Sequence, residues 1–287
     1  MTQRQAWDLA FDPATGRRIR QEEVTTGQIL PDSRWPNFFS RLVAKLQWDA
    51  HGIPLTKDAE AWEALPDARR EKLTKLLCGF RVADDAVSKN LTPFGPAAKN
   101  SLIAWVVFLQ RRDEERHANW FDRVSNEVLA LGEEREDRLA AARELAPPGI
   151  VDLFDNQLPA MSAEMESGKL GLSDGISLYH MTLEGMVLAA GQKALLEELD
   201  DGVMPGVRQG VYHVELDERW HIGFGLRCLI DANPDPGLID AILARADEAA
   251  VAWGDAIPEH IRAIIIPMAR RRMAIVTKYL QEARAAA

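Results

Sequence analysis

Long stretches of this chain carry apolar residues with a helical period and are separated by short groups of glycine, proline and other turn residues. Apolar residues that recur every three or four positions, rather than at alternate positions, predict helices. Four segments exceed the length of an average globular helix; they run from about residue 67 to 91, 97 to 131, 173 to 199 and 205 to 231. Long helices joined by short connections predict an all-α helical bundle.

The chain shows no internal boundary between domains. Its 287 residues would fill one large domain or two small ones. No shift of composition, low-complexity tract or repeat separates two halves, so a single domain over residues 1–287 is predicted. Residues 1–31 lack clear periodicity and are expected to form an irregular N-terminal arm.

Charge and composition exclude several classes of function. A formal net charge of -10 argues against nucleic acid, which binds to surfaces with an excess of basic residues. The short basic run Arg270 to Arg272 is predicted to be a solvated helix face. No apolar run is long enough to span a bilayer, and the N-terminus does not resemble a secretory signal. The two cysteines, Cys78 and Cys228, are predicted to be free thiols in apolar helices, which suits a cytoplasmic protein.

Two of the long segments contain a glutamate and a histidine three positions apart, Glu114 with His117 and Glu218 with His221. This spacing places both side chains on one face of a helix. In each helix the same face carries the apolar residues, where an unpaired carboxylate or imidazole would be costly to bury. These four residues therefore need a buried partner, and a metal ion is one.

The other two long segments each place one acid on the apolar face, Asp84 in the first and Glu184 in the third. Asp85 lies about 100° around the helix, at the edge of that face. The resulting order of acid, ExxH, acid and ExxH is the pattern by which helical bundles hold two metals. The predicted ligands are Asp84, Glu114, His117, Glu184, Glu218 and His221. Four carboxylates and two imidazoles suit iron or manganese, and the set lacks the cysteine typical of structural zinc.

Other polar residues near these positions have a simpler interpretation. Asp113, Glu115 and Glu215 project away from the apolar faces, so we expect them to be solvated or to contact a ligand from outside. His180 shares the apolar face with Glu184 and stays ambiguous. It is interpreted as a core residue or an outer partner of a ligand, with direct metal binding as the alternative.

At these residues the chain resembles the small subunit of class I ribonucleotide reductase and its relatives, from about residue 35 to 229. The resemblance implies a ferritin-like bundle with a dimetal carboxylate site. It also implies that Asp217 links the ligand His117 to Trp48, which would fix the orientation of the imidazole. Reductase subunits carry a radical tyrosine four residues after the first ligand histidine, where this chain has Phe121.

A second branch of that superfamily, the ligand-binding oxidases, is more similar. The residues that carry this resemblance are Val87, three positions after Asp84, and Tyr179, five positions before Glu184. The resemblance implies an ether crosslink between Val87 and Tyr179, a manganese and iron pair or two irons, and a long-chain fatty acid bound beside them. A homodimer is also expected. Members of the branch usually have glutamate where this chain has Asp84.

Regular helix geometry does not place Tyr179 at the metals. Five residues correspond to about 140° around an α-helix, so Tyr179 needs a local π-bulge, or an approach from the side, to reach the site of Glu184. The alternative is an ordinary position at the edge of the core.

Three functions are compatible with these residues. The first is an oxidase that activates O2 for the two-electron oxidation of an apolar molecule such as a fatty acid. The second is a radical-generating subunit of ribonucleotide reductase, against which Phe121 counts. The third is a non-catalytic metal- or lipid-binding protein of the same fold.

Overall fold

The computed structural model describes residues 9–11, 18–20 and 35–286, with side chains from 35 to 281. Within the predicted N-terminal arm, strand β1 (Leu9–Phe11) pairs with strand β2 (Arg18–Arg20) in antiparallel register. The expectation of an irregular arm is therefore wrong for these six residues, which form a short hairpin. The remainder of 1–31 lies outside the described residues.

Helices make up nearly all of the remaining described chain, which confirms the all-α prediction. The helices are α1 (Pro36–Leu46), α2 (Thr56–Ala64), α3 (Asp67–Asn90), α4 (Phe94–Ala97), α5 (Ser101–Glu127), α6 (Arg135–Leu145), α7 (Pro148–Val151), α8 (Leu158–Glu166), α9 (Leu172–Ile176), α10 (Ala189–Glu198), α11 (Pro205–Ala232), α12 (Pro236–Ala244), α13 (Ala246–Val251) and α14 (Glu259–Ala286). A 3-10 turn, Gly254–Ala256, precedes α14. Two stretches are π-helical: Asp152–Gln157 and Ser177–Leu188. The second is called the π segment below.

The four long predicted segments correspond to α3, α5, the continuous run from α9 to α10, and α11. They pack around one hydrophobic core, which includes buried residues from Trp35 to Leu280. Helix α3 lies against α5, and α11 lies against the π segment. Cys78 and Cys228 are buried and not disulfide-bonded. Among the described helices none combines the length and apolar character that crossing a membrane requires.

Trp253 packs between α3 and α10, next to the π segment. Its indole is fully buried and fills a notch formed by Gly79 of α3 and Gly191 of α10. A Cβ atom at Gly79 or Gly191 would lie only 2.4 or 2.3 Å from the Trp253 ring, so both positions require glycine. Close approach of three elements here depends on these two missing side chains.

The π segment leaves backbone carbonyls that side chains from elsewhere in the chain satisfy. A π-helix bonds i to i+5 rather than i to i+4, and it is usually confined to a single turn. Here it extends over 12 residues. Trp253 Nε1 donates to Val187 O at 2.7 Å, and Arg272 Nη1 donates to Gly185 O. These donors hold the π segment in its register.

The Arg272 contact corrects the prediction made for the basic run. Arg270 and Arg271 are exposed, as expected of a solvated helix face, but Arg272 is only 3% exposed. Its guanidinium turns inward because the Gly185 carbonyl needs a donor that water cannot supply.

We expect Arg272→Met to destabilise the metal-free protein by about 1–3 kcal/mol, because it leaves a buried carbonyl without its charged donor. Urea unfolding of the metal-free protein measures this. Arg270→Met, two positions earlier on the exposed face, is the matched control and should change the free energy of unfolding by less than about 0.5 kcal/mol. Equal effects of the two substitutions would contradict the role given to Arg272.

Candidate metal centre

Six side chains converge inside the bundle from four elements. Helix α3 provides Asp84, α5 provides Glu114 and His117, the π segment provides Glu184, and α11 provides Glu218 and His221. Each is 3% exposed or less. The structure therefore brings together all six residues that the sequence singled out, and their role as ligands stays a prediction.

The six residues form two overlapping groups. Asp84, Glu114, His117 and Glu218 form the first, and Glu114, Glu184, Glu218 and His221 form the second; within each group the potential ligand atoms lie within 4.8 Å of one another. Glu114 and Glu218 belong to both groups. The two oxygens of Glu114 are divided between them: Oε2 lies 3.3 Å from His117 Nδ1, and Oε1 lies 3.0 Å from His221 Nδ1. Two carboxylates would thus be available to both cations if each group held one.

Unsatisfied polar atoms indicate that this arrangement suits a cation. Both carboxylate oxygens of Asp84, both of Glu218 and Nδ1 of His117 are buried without a hydrogen-bond partner. Buried polar atoms of this kind are rare in folded proteins and call for an explanation. Metal ions would provide the missing partners, and carboxylate with imidazole suits iron or manganese.

Crowding of the carboxylates shifts their protonation. Burial, with the nearby charges of Glu184 and Glu114, raises the pKa of Glu218 to about 8. Burial also raises the pKa of Asp84. Burial would raise the pKa of Glu114 too, but His221 and His117 outweigh it and lower that pKa below its ordinary value. Protons therefore offset part of the negative charge, and cations that bind here would displace them.

The contact that the resemblance implied around Asp217 is present. Asp217 Oδ2 lies 3.0 Å from His117 Nε2 and accepts a hydrogen bond from Trp48 Nε1 at 2.9 Å. This leaves Nδ1 of the imidazole directed at the carboxylates. A carboxylate on the far nitrogen fixes the tautomer and ring orientation of a metal-binding histidine.

Asp113 was expected to be solvated or an outer partner, and the structure places it fully buried. Its Oδ2 faces His221 Nε2 at 3.8 Å, as Asp217 faces His117. The sequence contained a signal for this: an aspartate directly precedes the glutamate in both motifs, which read DExxH at 113–117 and 217–221. Glu115, in contrast, is 42% exposed, as expected. Glu215 is buried and pairs with Arg219 at 2.7 Å.

Tyr179 reaches the site because the π segment changes the helical period. Its side chain is fully buried, and its hydroxyl donates a hydrogen bond of 2.7 Å to Glu114 Oε1. Burial, followed by the charge of Glu114, raises the pKa of Tyr179, so the hydroxyl keeps its proton. Val87 is also fully buried, one turn after Asp84 on α3.

Gln110 is a site residue that the sequence interpretation missed. Its Nε2 donates to Tyr179 Oη at 3.2 Å and to Glu184 Oε1 at 3.0 Å. Its Oε1 lies 3.0 Å from His180 Nε2. The signal was its place on the apolar face of α5, four residues before Glu114.

His180 lies outside both ligand groups. Its ring packs against Gly225, where a Cβ atom would come within 2.5 Å, and against Phe94 and Phe224. Burial, with the nearby charge of His221, lowers its pKa to about 3. His180 is therefore a neutral core residue that contacts the site through Gln110.

Asp85, expected at the edge of the apolar face, is also buried, at 3% exposure. It faces away from the six-residue cluster, toward Arg81 Nη1 at 3.3 Å and Lys89 Nζ at 2.5 Å. Arg81 is fully buried and also lies 3.2 Å from Asp122. Adjacent aspartates thus have different surroundings: Asp85 is paired with cations of the protein, and Asp84 is not.

The fold resembles known structures across most of the chain. A variant of an R2-like ligand-binding oxidase with an anaerobically reconstituted Mn/Fe cofactor superposes with a TM-score of 0.69 over 87% of this chain and 97% of that one, at 18% identity. The R2-like ligand-binding oxidase from Sulfolobus acidocaldarius gives a TM-score of 0.70 over 85% and 90% of the two chains, at 19% identity. The protein has the ferritin-like fold of these oxidases.

The sequence is also similar to curated reductase small chains. The ribonucleoside-diphosphate reductase small chain of African swine fever virus, Pretoriuskop isolate, is 24% identical over 218 residues. The match covers 74% of this chain but 64% of the viral one. The same chain from the Malawi isolate is 23% identical over an equal length. No family model matches the sequence.

We expect Asp84→Asn to reduce the number of bound ions by about one per chain, because Asp84 belongs only to the group with His117. It should not lower the stability of the metal-free protein, since Asp84 has no hydrogen-bond partner to lose. Asp85→Asn is the matched control: it should retain both ions and lose about 1–3 kcal/mol of stability, because it weakens a buried ion pair. Metal analysis and urea unfolding separate the two, and the reverse pattern would rule out this assignment.

Proposed function

We propose that this protein is an oxidoreductase that binds two metal ions through Asp84, Glu114, His117, Glu184, Glu218 and His221 and uses them to activate O2. The observation that carries the proposal is the pair of overlapping buried groups with Glu114 and Glu218 in common. A single ion would need only one group. Two cations, held close together by shared carboxylates, account for both groups and for the unsatisfied atoms of Asp84 and Glu218.

The metals are manganese and iron, or two irons. The donor set supports this, because four carboxylates with two imidazoles suit redox-active metals of intermediate hardness. The R2-like oxidases that share the fold include structures with a Mn/Fe cofactor. Manganese binds weakly among divalent ions, so its selection in a mixed site would depend on geometry and redox chemistry rather than affinity. Asp84 is one methylene shorter than glutamate and lies only in the group with His117. Its effect on metal selection would therefore be greatest at that position.

Tyr179 and Val87 are the proposed reactive residues of the chain itself. Bound metals would supply the redox chemistry that reduces O2, and a nearby C–H bond would provide the other electrons. Tyr179 directs its hydroxyl at Glu114, a shared carboxylate that can accept its proton, and Gln110 holds the same oxygen from the other side. In the crosslink, the Tyr179 O–H bond and one Val87 C–H bond break, an O–C bond forms, and the two electrons and two protons released go to the reduction of O2 to water.

The substrate is an apolar molecule of the fatty-acid type. Buried aromatic residues lie on the elements that carry the carboxylates; Phe80 and Phe121 stack with ring centroids 5.2 Å apart, and Phe94 contacts Tyr179. An alkyl chain would find no competing polar groups among these side chains, and a substrate carboxylate would be neutralised by the cations. We also propose a homodimer, which rests on the family resemblance, and a cytoplasmic location, which rests on the two free cysteines.

The second candidate is a radical-generating subunit of ribonucleotide reductase, which the similarity to the viral small chains favours. Phe121 counts against it. Its ring is 1% exposed, stacks on Phe80 and has no hydroxyl group to oxidise. Tyr179 is the buried tyrosine beside the carboxylates, and it comes from a different helix.

Metal loading followed by exposure to oxygen tests the proposal. Metal-free protein loaded anaerobically with Mn(II) and Fe(II) is expected to consume O2 and to lose two hydrogen atoms, which peptide mass spectrometry should map to Tyr179 and Val87. Tyr179→Phe should still bind two ions but show no mass loss. Phe121→Tyr is a second informative variant. A tyrosyl radical signal from position 121 would show that the site can generate the radical that reductase chemistry requires.

The outcomes separate the candidate functions. O2 consumption with crosslinking supports the oxidase. Ribonucleotide reduction after addition of a large catalytic subunit would support the reductase candidate instead. Two bound ions with no O2 consumption and an unchanged mass would identify a non-catalytic metal-binding protein.

A further inference from the structure

Arg116 connects the two outer aspartates of the candidate metal centre. A single nitrogen, Nη2, donates to Asp113 Oδ1 at 2.7 Å and to Asp217 Oδ2 at 2.8 Å. The other terminal nitrogen, Nη1, donates to Gln47 Oε1 at 3.0 Å, and the guanidinium carbon lies 5.2 Å from the centre of the Trp48 ring. The side chain is 12% exposed, so its charge is largely removed from water.

Each of the two outer aspartates faces the histidine of the other helix. Asp217 of α11 contacts His117 of α5, and Asp113 of α5 faces His221 of α11. Asp113 Oδ2 and His221 Nε2 face each other at 3.8 Å, and neither atom has a hydrogen-bond partner. Each imidazole therefore presents Nδ1 to the carboxylate cluster and Nε2 to an aspartate from the opposite helix.

Charge makes Arg116 necessary to both aspartates. Asp113 and Asp217 are each fully buried, and a buried carboxylate that lacks a cationic partner is strongly disfavoured. Among the contacts of the described chain, Arg116 is the arginine that pairs with both groups.

We propose that Arg116 is a positioning residue that couples the two halves of the metal centre and raises the affinity for both ions together. This inference rests on the proposed metal site and adds a residue that is not one of the six proposed metal ligands. Through Asp217 it holds the imidazole of His117, and through Asp113 it holds that of His221. Loss of such an outer partner typically weakens metal binding by about 10–100-fold.

Arg112 provides the matched control. It lies one turn before Arg116 on α5, its side chain is 64% exposed, and it pairs with Glu115 at 3.4 Å. Exposed pairs of this type contribute little to stability. Both arginines line the same surface cleft, of about 640 Å³, so a change in the cleft alone would affect both variants.

Competition titration of Mn(II) and Fe(II) against a chelator tests the inference, with anomalous scattering to assign occupancy to each position. Arg116→Met is expected to weaken the binding of both ions by about 10–100-fold. Arg116→Lys should recover most of the lost affinity, because it restores the charge. Asp217→Asn should mainly lower the affinity for the ion beside His117, and Asp113→Asn should mainly lower the affinity for the ion beside His221. Arg112→Met should leave both affinities within about twofold, as expected for an exposed pair.

Several results would overturn the inference. Unchanged affinities in Arg116→Met, a loss at one position only, or an equal loss in Arg112→Met would each do so. If Arg116→Met does not fold, Arg116→Gln decides, since it keeps a donor but lacks the charge and should show the same joint loss. Wild-type protein that binds no ion would overturn the metal centre and the role of Arg116 with it, whereas unaffected binding in the variants overturns the role of Arg116 alone.

Discussion

Four carboxylates and two imidazoles buried at the centre of an apolar bundle are the constraint on which the rest of this structure depends. Neither oxygen of Asp84 or of Glu218 has a hydrogen-bond partner, and the pKa of Glu218 rises to about 8 through burial and neighbouring carboxylates. Such a cluster opposes folding unless cations or protons offset its charge. The bundle must therefore be stabilised elsewhere, by the large core and by buried ion pairs such as that of Arg81 with Asp85.

The π segment is the structural adjustment that completes the site. A regular helix would place Tyr179 about 140° from Glu184, whereas in the π segment the Tyr179 hydroxyl contacts Glu114, and Gln110 joins it to Glu184. Trp253 and Arg272 supply the donors that this irregular backbone needs. Residues far along the chain thus support the chemistry proposed for Tyr179. The narrow fit of Trp253 between Gly79 and Gly191 ties that support to the helix that carries Asp84.

The two DExxH motifs give the centre an approximate internal symmetry. Each motif supplies a shared glutamate, a histidine, and an aspartate that faces the histidine of the other motif. Arg116, which lies within the first motif, breaks the symmetry, because the equivalent position in the second motif is Trp220. One cation therefore serves both halves of a site whose two outer aspartates and two histidines occur in pairs and whose two motif glutamates are shared.

The sequence by itself determined the helical bundle and the six clustered residues. Periodicity identifies the apolar face of a helix, and a charged residue on that face is detectable without knowledge of its neighbours, as with Asp84 and Glu114. Tertiary structure alone decided what each polar group contacts. Asp85 and Arg272 are buried because Arg81 and the Gly185 carbonyl face them, and Asp113 is buried because Arg116 neutralises it. A side chain's partner comes from distant parts of the chain, and helical period carries no information about which helices meet.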